Sequence, residues 1–147
     1  ATVEVMSFGT LSKVIKNLKA GNASYAALVG YYRVKSANGN LVLPSQKMFT
    51  SWIQAVSVMR NICAHNSRIY NRVISTTPEL TQTDRVNPPV QYNGLYQILL
   101  AMKYLRPTDD EWNSFVTELK GLLAQYAAVV ELSRLNFPAD WANHFQL

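Results

Sequence analysis

Pro44-Ser-Gln-Lys-Met-Phe-Thr-Ser-Trp-Ile-Gln-Ala-Val-Ser-Val-Met-Arg-Asn-Ile-Cys-Ala-His65 is the stretch that decides the fold. After Pro44-Ser45, the residues Phe49, Trp52, Ile53, Val56, Met59 and Cys63 recur every three or four positions, the spacing of one helix face. A long helix is predicted, running into a polar segment from Arg60 onward. Working outward, Ser7 to Lys19 carries Leu11, Val14, Ile15 and Leu18 at helical spacing with lysines between them, and Gly21-Asn22 supplies a stop. Ser24 to Lys35 reads as a second, shorter helix, and Ser36 to Asn40 as a turn cluster. Residues 75–92 contain three prolines and no helical period, so a long connection is expected there, either a flap beside the site or a surface strap. Asn93 to Leu105 is helical again. Thr108-Asp-Asp-Glu111 forms a capping box for a last long helix presenting Trp112, Phe115, Val116, Leu119, Leu122, Leu123 and Tyr126. The tail from Phe137 to Trp141 should fold its aromatics back. The sum is an all-α fold, a bundle of four to five helices with a long irregular connection before the last two long helices.

Residues 1–147 are the size of one domain, and 48% apolar against 16% charged residues excludes a disordered chain. One cysteine cannot form an internal disulfide, and no run of about 18 apolar residues or cationic leader occurs. A soluble, cytoplasmic protein with no membrane partner is expected. Charge is unevenly placed. Between Glu4 and Glu79 there is no acid and there are nine bases, whereas the remainder holds five bases and nine acids. A positive half of this kind attracts polyanions, nucleic acid first among them, although a solvated basic face has the same composition.

Within the basic half, residues 60–72 carry one histidine, three arginines and three asparagines. Arginine holds charge on a pentavalent phosphorus, imidazole moves protons near neutral pH, and amides orient both, so the segment suits phosphodiester cleavage. Projected on one ideal helix, Asn61, His65, Arg68 and Arg72 share a stripe about 60° wide, which an ordinary solvated face would also show. Arg60 projects beside the apolar stripe, near Val56 and Cys63, where an unpaired charge is rare. Five residues turn a helix by about 140°, so Arg60 and His65 diverge within one copy, and a two-fold dimer through this helix would bring two sets together. A metal site is not expected from two histidines and a lone thiol, and no cofactor loop or serine elbow occurs. Cys63 reads as a core residue and His144 as structural or exposed.

Arg60-Asn61-Ile62-Cys63-Ala64-His65 resembles the Arg, polar residue, spacer, His signature of the HEPN superfamily of nucleases. The longer string Arg-Asn-x-x-Ala-His-Asn-x-Arg-x-Tyr-Asn-Arg resembles the Abi-like proteins of bacterial abortive infection, and Val5-Met-Ser-Phe-Gly-Thr-Leu-Ser12 is similar to a segment those proteins carry upstream. The resemblance covers most of the chain, as the later part of a longer Abi-like protein. It implies a HEPN-like helical bundle, usually dimeric, whose Arg-His motifs meet at the interface and cut RNA without metal. By position, Arg60 would stabilise the phosphorane, His65 would exchange protons and Asn61 would orient the pair. Asn66, Arg68, Tyr70 and Arg72 would contact RNA or scaffold the site. The expected activity is therefore a metal-independent endoribonuclease in phage defence or a toxin system. The alternatives are a non-catalytic module binding RNA or a protein, and a complex with an antitoxin or regulatory partner.

Overall fold

Ser45 starts the central helix. Its hydroxyl accepts the Met48 N–H at 3.2 Å, filling one of the donors a helix N-terminus leaves open. The computed structural model describes residues 8–19, 21–36, 38–85 and 94–147. In chain order these form α1 (Phe8–Asn17), α2 (Ala23–Val29), β1 (Val34–Lys35), β2 (Leu41–Val42), α3 (Gln46–Ala64), α4 (Gln82–Arg85), α5 (Leu95–Leu105), α6 (Asp109–Gln125), a 3-10 turn (Leu132–Leu135) and α7 (Trp141–His144). The fold is all-α apart from one two-residue hairpin. Five of these helices have seven residues or more, while α4 and α7 are single turns.

α3 packs against both α1 and α5. α5 is enclosed on all sides: every residue from Tyr96 to Ala101 is buried, as a helix apolar all round must be. Its side chains enter three adjoining clusters. Ala101 joins Ile15, Tyr25, Val29, Val34, Phe49 and Trp52; Ile98 joins Ala55, Ile62 and Ile74; Tyr96, Leu99 and Leu100 join Trp112, Val116 and the tail. In that last cluster Phe137, Trp141 and Phe145 pack edge to face, and the Trp112 indole N–H donates to the Phe145 carbonyl at 2.8 Å. The expected return of the tail aromatics is thus observed. So is the start of α6, where the Thr108 hydroxyl accepts the Glu111 N–H at 3.2 Å and donates to its carboxylate at 3.1 Å.

Two expectations are corrected and one open choice, flap or strap, is decided for the strap. The second helix stops at Val29, and Val34–Lys35 pair antiparallel with Leu41–Val42 around a turn whose Gly39 takes φ 78°. Val34 inserts into the core while Lys35 faces out, an alternation that a helical reading of Ser24 to Lys35 misses. Residues 75–85 do not form a free flap. The Trp52 indole N–H donates to the Glu79 carbonyl at 2.7 Å, the Glu79 N–H donates to the Ser51 hydroxyl at 2.9 Å, and Leu80 and Thr81 are buried. That part of the connection is a strap sewn to α3, and residues 86–92 lie outside the described residues. Finally, the buried face of α3 runs through Phe49, Trp52, Ala55 and Ile62, so Cys63 is exposed and not in the core. Among the described residues, no helix is long and apolar enough to cross a membrane.

Candidate active site

α3 ends at Ala64, inside the polar segment. His65 is its C-cap, and Asn66 turns left-handed at φ 48°. The Asn66 N–H reaches the Cys63 carbonyl at 3.0 Å and the Ser67 N–H reaches the Ile62 carbonyl at 3.0 Å, the paired bonds of a Schellman cap. Asparagine serves here in place of glycine because it tolerates the left-handed region better than other side chains. Asn71 does the same at φ 54°. The stripe of Asn61, His65, Arg68 and Arg72 on one ideal helix is therefore not formed: Asn61 lies on α3, His65 on its cap, and Arg68 and Arg72 on the irregular turn that follows.

That turn is pinned from beneath. Ile69 packs on the cluster of Ala55, Ile62, Ile74 and Ile98, and Ile74 is 3% exposed. Tyr70 packs against the C-terminal cluster, and its hydroxyl accepts the Glu131 N–H at 3.2 Å. Of the residues assigned to RNA contact or scaffolding, Tyr70 is visibly scaffold. Asn66, Arg68 and Arg72 are exposed, and the Arg72 guanidinium donates to the Arg68 carbonyl at 3.4 Å, closing the turn on itself.

Arg60, Asn61 and His65 are all exposed at the end of α3. The Arg60 guanidinium donates to the Asn61 side-chain carbonyl at 3.2 Å, so an amide holds it without cancelling its charge. Arg60 is not wedged against the core, because Val56, Arg60 and Cys63 lie off the face that Ala55 and Ile62 bury. The His65 N–H donates to the Asn61 carbonyl at 3.1 Å, which continues the helical path through the cap. The five-residue offset from Arg60 thus persists, and no hydrogen bond joins the two side chains. Among the described residues, Arg60, Arg68 and Arg72 have no carboxylate partner, whereas Lys47, Arg106 and Arg134 each have one. No group of three or more His, Cys, Asp or Glu among the described residues is placed to hold a metal ion.

Residues 1–71 match the family model described as Abi-like protein. Over this segment the chain is similar to the Abi-like family. That likeness suggests a role in abortive infection, a form of phage defence. The match runs from the start of the chain through the turn after α3, less of the chain than the resemblance suggested, and takes in Arg60, Asn61, His65, Asn66, Arg68 and Tyr70 but not Arg72. Of the upstream stretch, Val5 to Ser7 lie outside the described residues. No curated protein and no solved structure matches the chain. Asn71 is the residue whose part the sequence reading left unassigned; a second asparagine five positions after Asn66 was the available signal for a second left-handed bend.

Proposed function

We propose that this protein is a metal-independent endoribonuclease of a phage-defence or toxin-type system, acting through Arg60, Asn61 and His65. The observation that carries this reading is the exposed end of α3, where a guanidinium held by an amide and an imidazole share two helical turns with no acid among the described residues to neutralise them. Such a group set matches RNA transesterification. One imidazole takes the proton of the 2′-hydroxyl, the freed oxygen attacks phosphorus, and the bond to the 5′-oxygen breaks as that oxygen receives a proton from a second imidazole. Arg60 stabilises the charge gathered on the phosphorane, and the products are a 2′,3′-cyclic phosphate and a 5′-hydroxyl. DNA, lacking the 2′-hydroxyl, is spared.

One copy supplies one such imidazole and leaves the group set open to water. A homodimer through α3 supplies the second imidazole and a cleft between copies, and this is the assembly we propose. The test is cleavage of labelled RNA in the presence of a chelator, with His65→Ala and Arg60→Ala alongside. Both variants should lose at least about 100-fold in rate while folding normally, since both side chains are exposed. Intact RNA in every tube, with binding retained, would replace this reading by that of a non-catalytic RNA-binding module. A monomer in light scattering at assay concentration would remove the dimer.

A further inference from the structure

A second concave site lies elsewhere in the molecule. It is a cavity of about 380 Å³ where β1, β2, α4, the last turn of α5 and the C-terminal segment converge. Tyr104 on its wall stacks on Trp52 at 5.1 Å, which places the cavity beside the first half of α3. His65 lies thirteen residues further along, about 20 Å at the rise of an α-helix, so this site is separate from the proposed catalytic one.

Four cations line it: Arg33, Lys35, Lys103 and Arg106. Arg106 is partly compensated, by Asp109 at 2.7 Å and by the Lys103 carbonyl at 2.8 Å. Lys103 donates to the His144 carbonyl at 2.7 Å, a neutral partner, and the Asp84 carboxylate offsets part of its charge. Arg33 and Lys35 have no carboxylate partner among the described residues. Burial lowers the Lys103 pKa below the ordinary 10.5, and the charges of Arg106 and Lys35 add to that against the pull of Asp84. A local excess of positive charge of this kind attracts an anion.

Asp84 narrows the class of anion. Its Oδ2 accepts from the Thr81 hydroxyl at 2.7 Å and the Tyr104 hydroxyl at 3.0 Å, which leaves Oδ1 without a partner among the described residues. Asp84 is among the lining residues, and a carboxylate with an unpaired oxygen there repels a bare phosphate ion but accepts from a hydroxyl. The volume falls within the roughly 300–1,000 Å³ of small-molecule sites, and the walls converge from five segments instead of opening into the long groove a polymer needs.

We infer that this cavity binds a small phosphomonoester bearing a free hydroxyl, its phosphate held by Arg33, Lys35 and Lys103 and its hydroxyl donating to Asp84. Two sources share this chemistry, sugar phosphates and nucleoside monophosphates. Calorimetric titration of the purified protein with ribose 5-phosphate, with a nucleoside 5′-monophosphate and with inorganic phosphate separates them. Saturable binding of ribose 5-phosphate is expected if the base is dispensable, and of the nucleotide alone if it is required. Arg33→Ala and Lys35→Ala, both at exposed positions, should each weaken that binding by about fivefold to tenfold. Asp84→Asn should have opposite effects on two ligands, weakening the ester while strengthening inorganic phosphate. The assignment is overturned if neither ester saturates, if affinity is unchanged in both the Arg33 and Lys35 variants, or if those variants weaken only the binding of labelled RNA.

Discussion

The chain has two histidines, and the structure treats them in opposite ways. His144 sits on α7 with its ring enclosed: the Tyr96 hydroxyl shares a short hydrogen bond with Nδ1, its backbone carbonyl receives Lys103, and the Asp140 carboxylate stands 3.3 Å from Nε2, without hydrogen-bond geometry. His65, on the cap of α3, is exposed and its ring has no such partner. The surroundings differ in the same sense. Around His144, Nδ1 and the backbone carbonyl are tied to Tyr96 and Lys103, while around His65 the arginines are exposed with no acid partner among the described residues. Polar groups committed to partners stabilise; polar groups left at a surface cost little there and remain free to meet a ligand. The difference places the committed polar groups around His144 and leaves those around His65 exposed.

The comparison is tested hardest at the C-terminal cluster. Trp112→Ala removes a side chain that is 4% exposed together with its bond to the Phe145 carbonyl, and should cost about 3–5 kcal/mol in urea denaturation. A loss under about 1 kcal/mol would mean that this cluster is not where the fold is held. Next come the histidines themselves. Tyr96→Phe strands His144 Nδ1 and should cost about 1–3 kcal/mol, whereas His65→Ala should stay within about 0.5 kcal/mol. Equal losses in the two variants would erase the distinction drawn here.

The smallest effect is one of pH. Burial, with Asp84 adding to it, holds the Tyr96 and Tyr104 phenols well above the ordinary 10.0. The unfolded chain therefore releases these protons first, and stability should fall as pH rises above about 10. Lys103, shifted the other way by burial, loses its proton sooner in the folded chain, so it adds stability with rising pH up to 10.5 and nothing beyond. Urea midpoints should decline once the pH passes about 10.5, and Tyr104→Phe should flatten the decline. A flat profile for the unaltered protein would contradict the buried state of both phenols.

Much of this was legible in the chain. The spacing of Phe49 and Trp52, the Thr108–Glu111 cap and the aromatic tail all report local geometry, and local geometry is what periodicity records. The buried face of α3 was misplaced because one position turns a helix by about 100°: the run through Val56 and Cys63 fits the sequence almost as well as the run through Ala55 and Ile62 that packs. The end of that helix was missed because neither glycine nor proline marks it; the stop is Asn66, a residue equally at home inside a polar face. The hairpin is too short to show alternation. The cationic cavity was out of reach altogether, since Arg33, Asp84 and Lys103 meet only through the fold. At the candidate active site, the residue types and the exposure of Asn61, His65, Arg68 and Arg72 were readable, and the exposure of Arg60 was not.

The two left-handed asparagines have a further consequence. Between the cap of α3 and Ile74, the backbone is fastened to the interior at Ile69, Tyr70 and Ile74 and bends outward elsewhere. Arg68 and Arg72 thus bear no duty to the core. Selection can rewrite those two positions, and with them whatever the turn touches, while the scaffold that displays them, left-handed Asn71 included, is inherited unchanged.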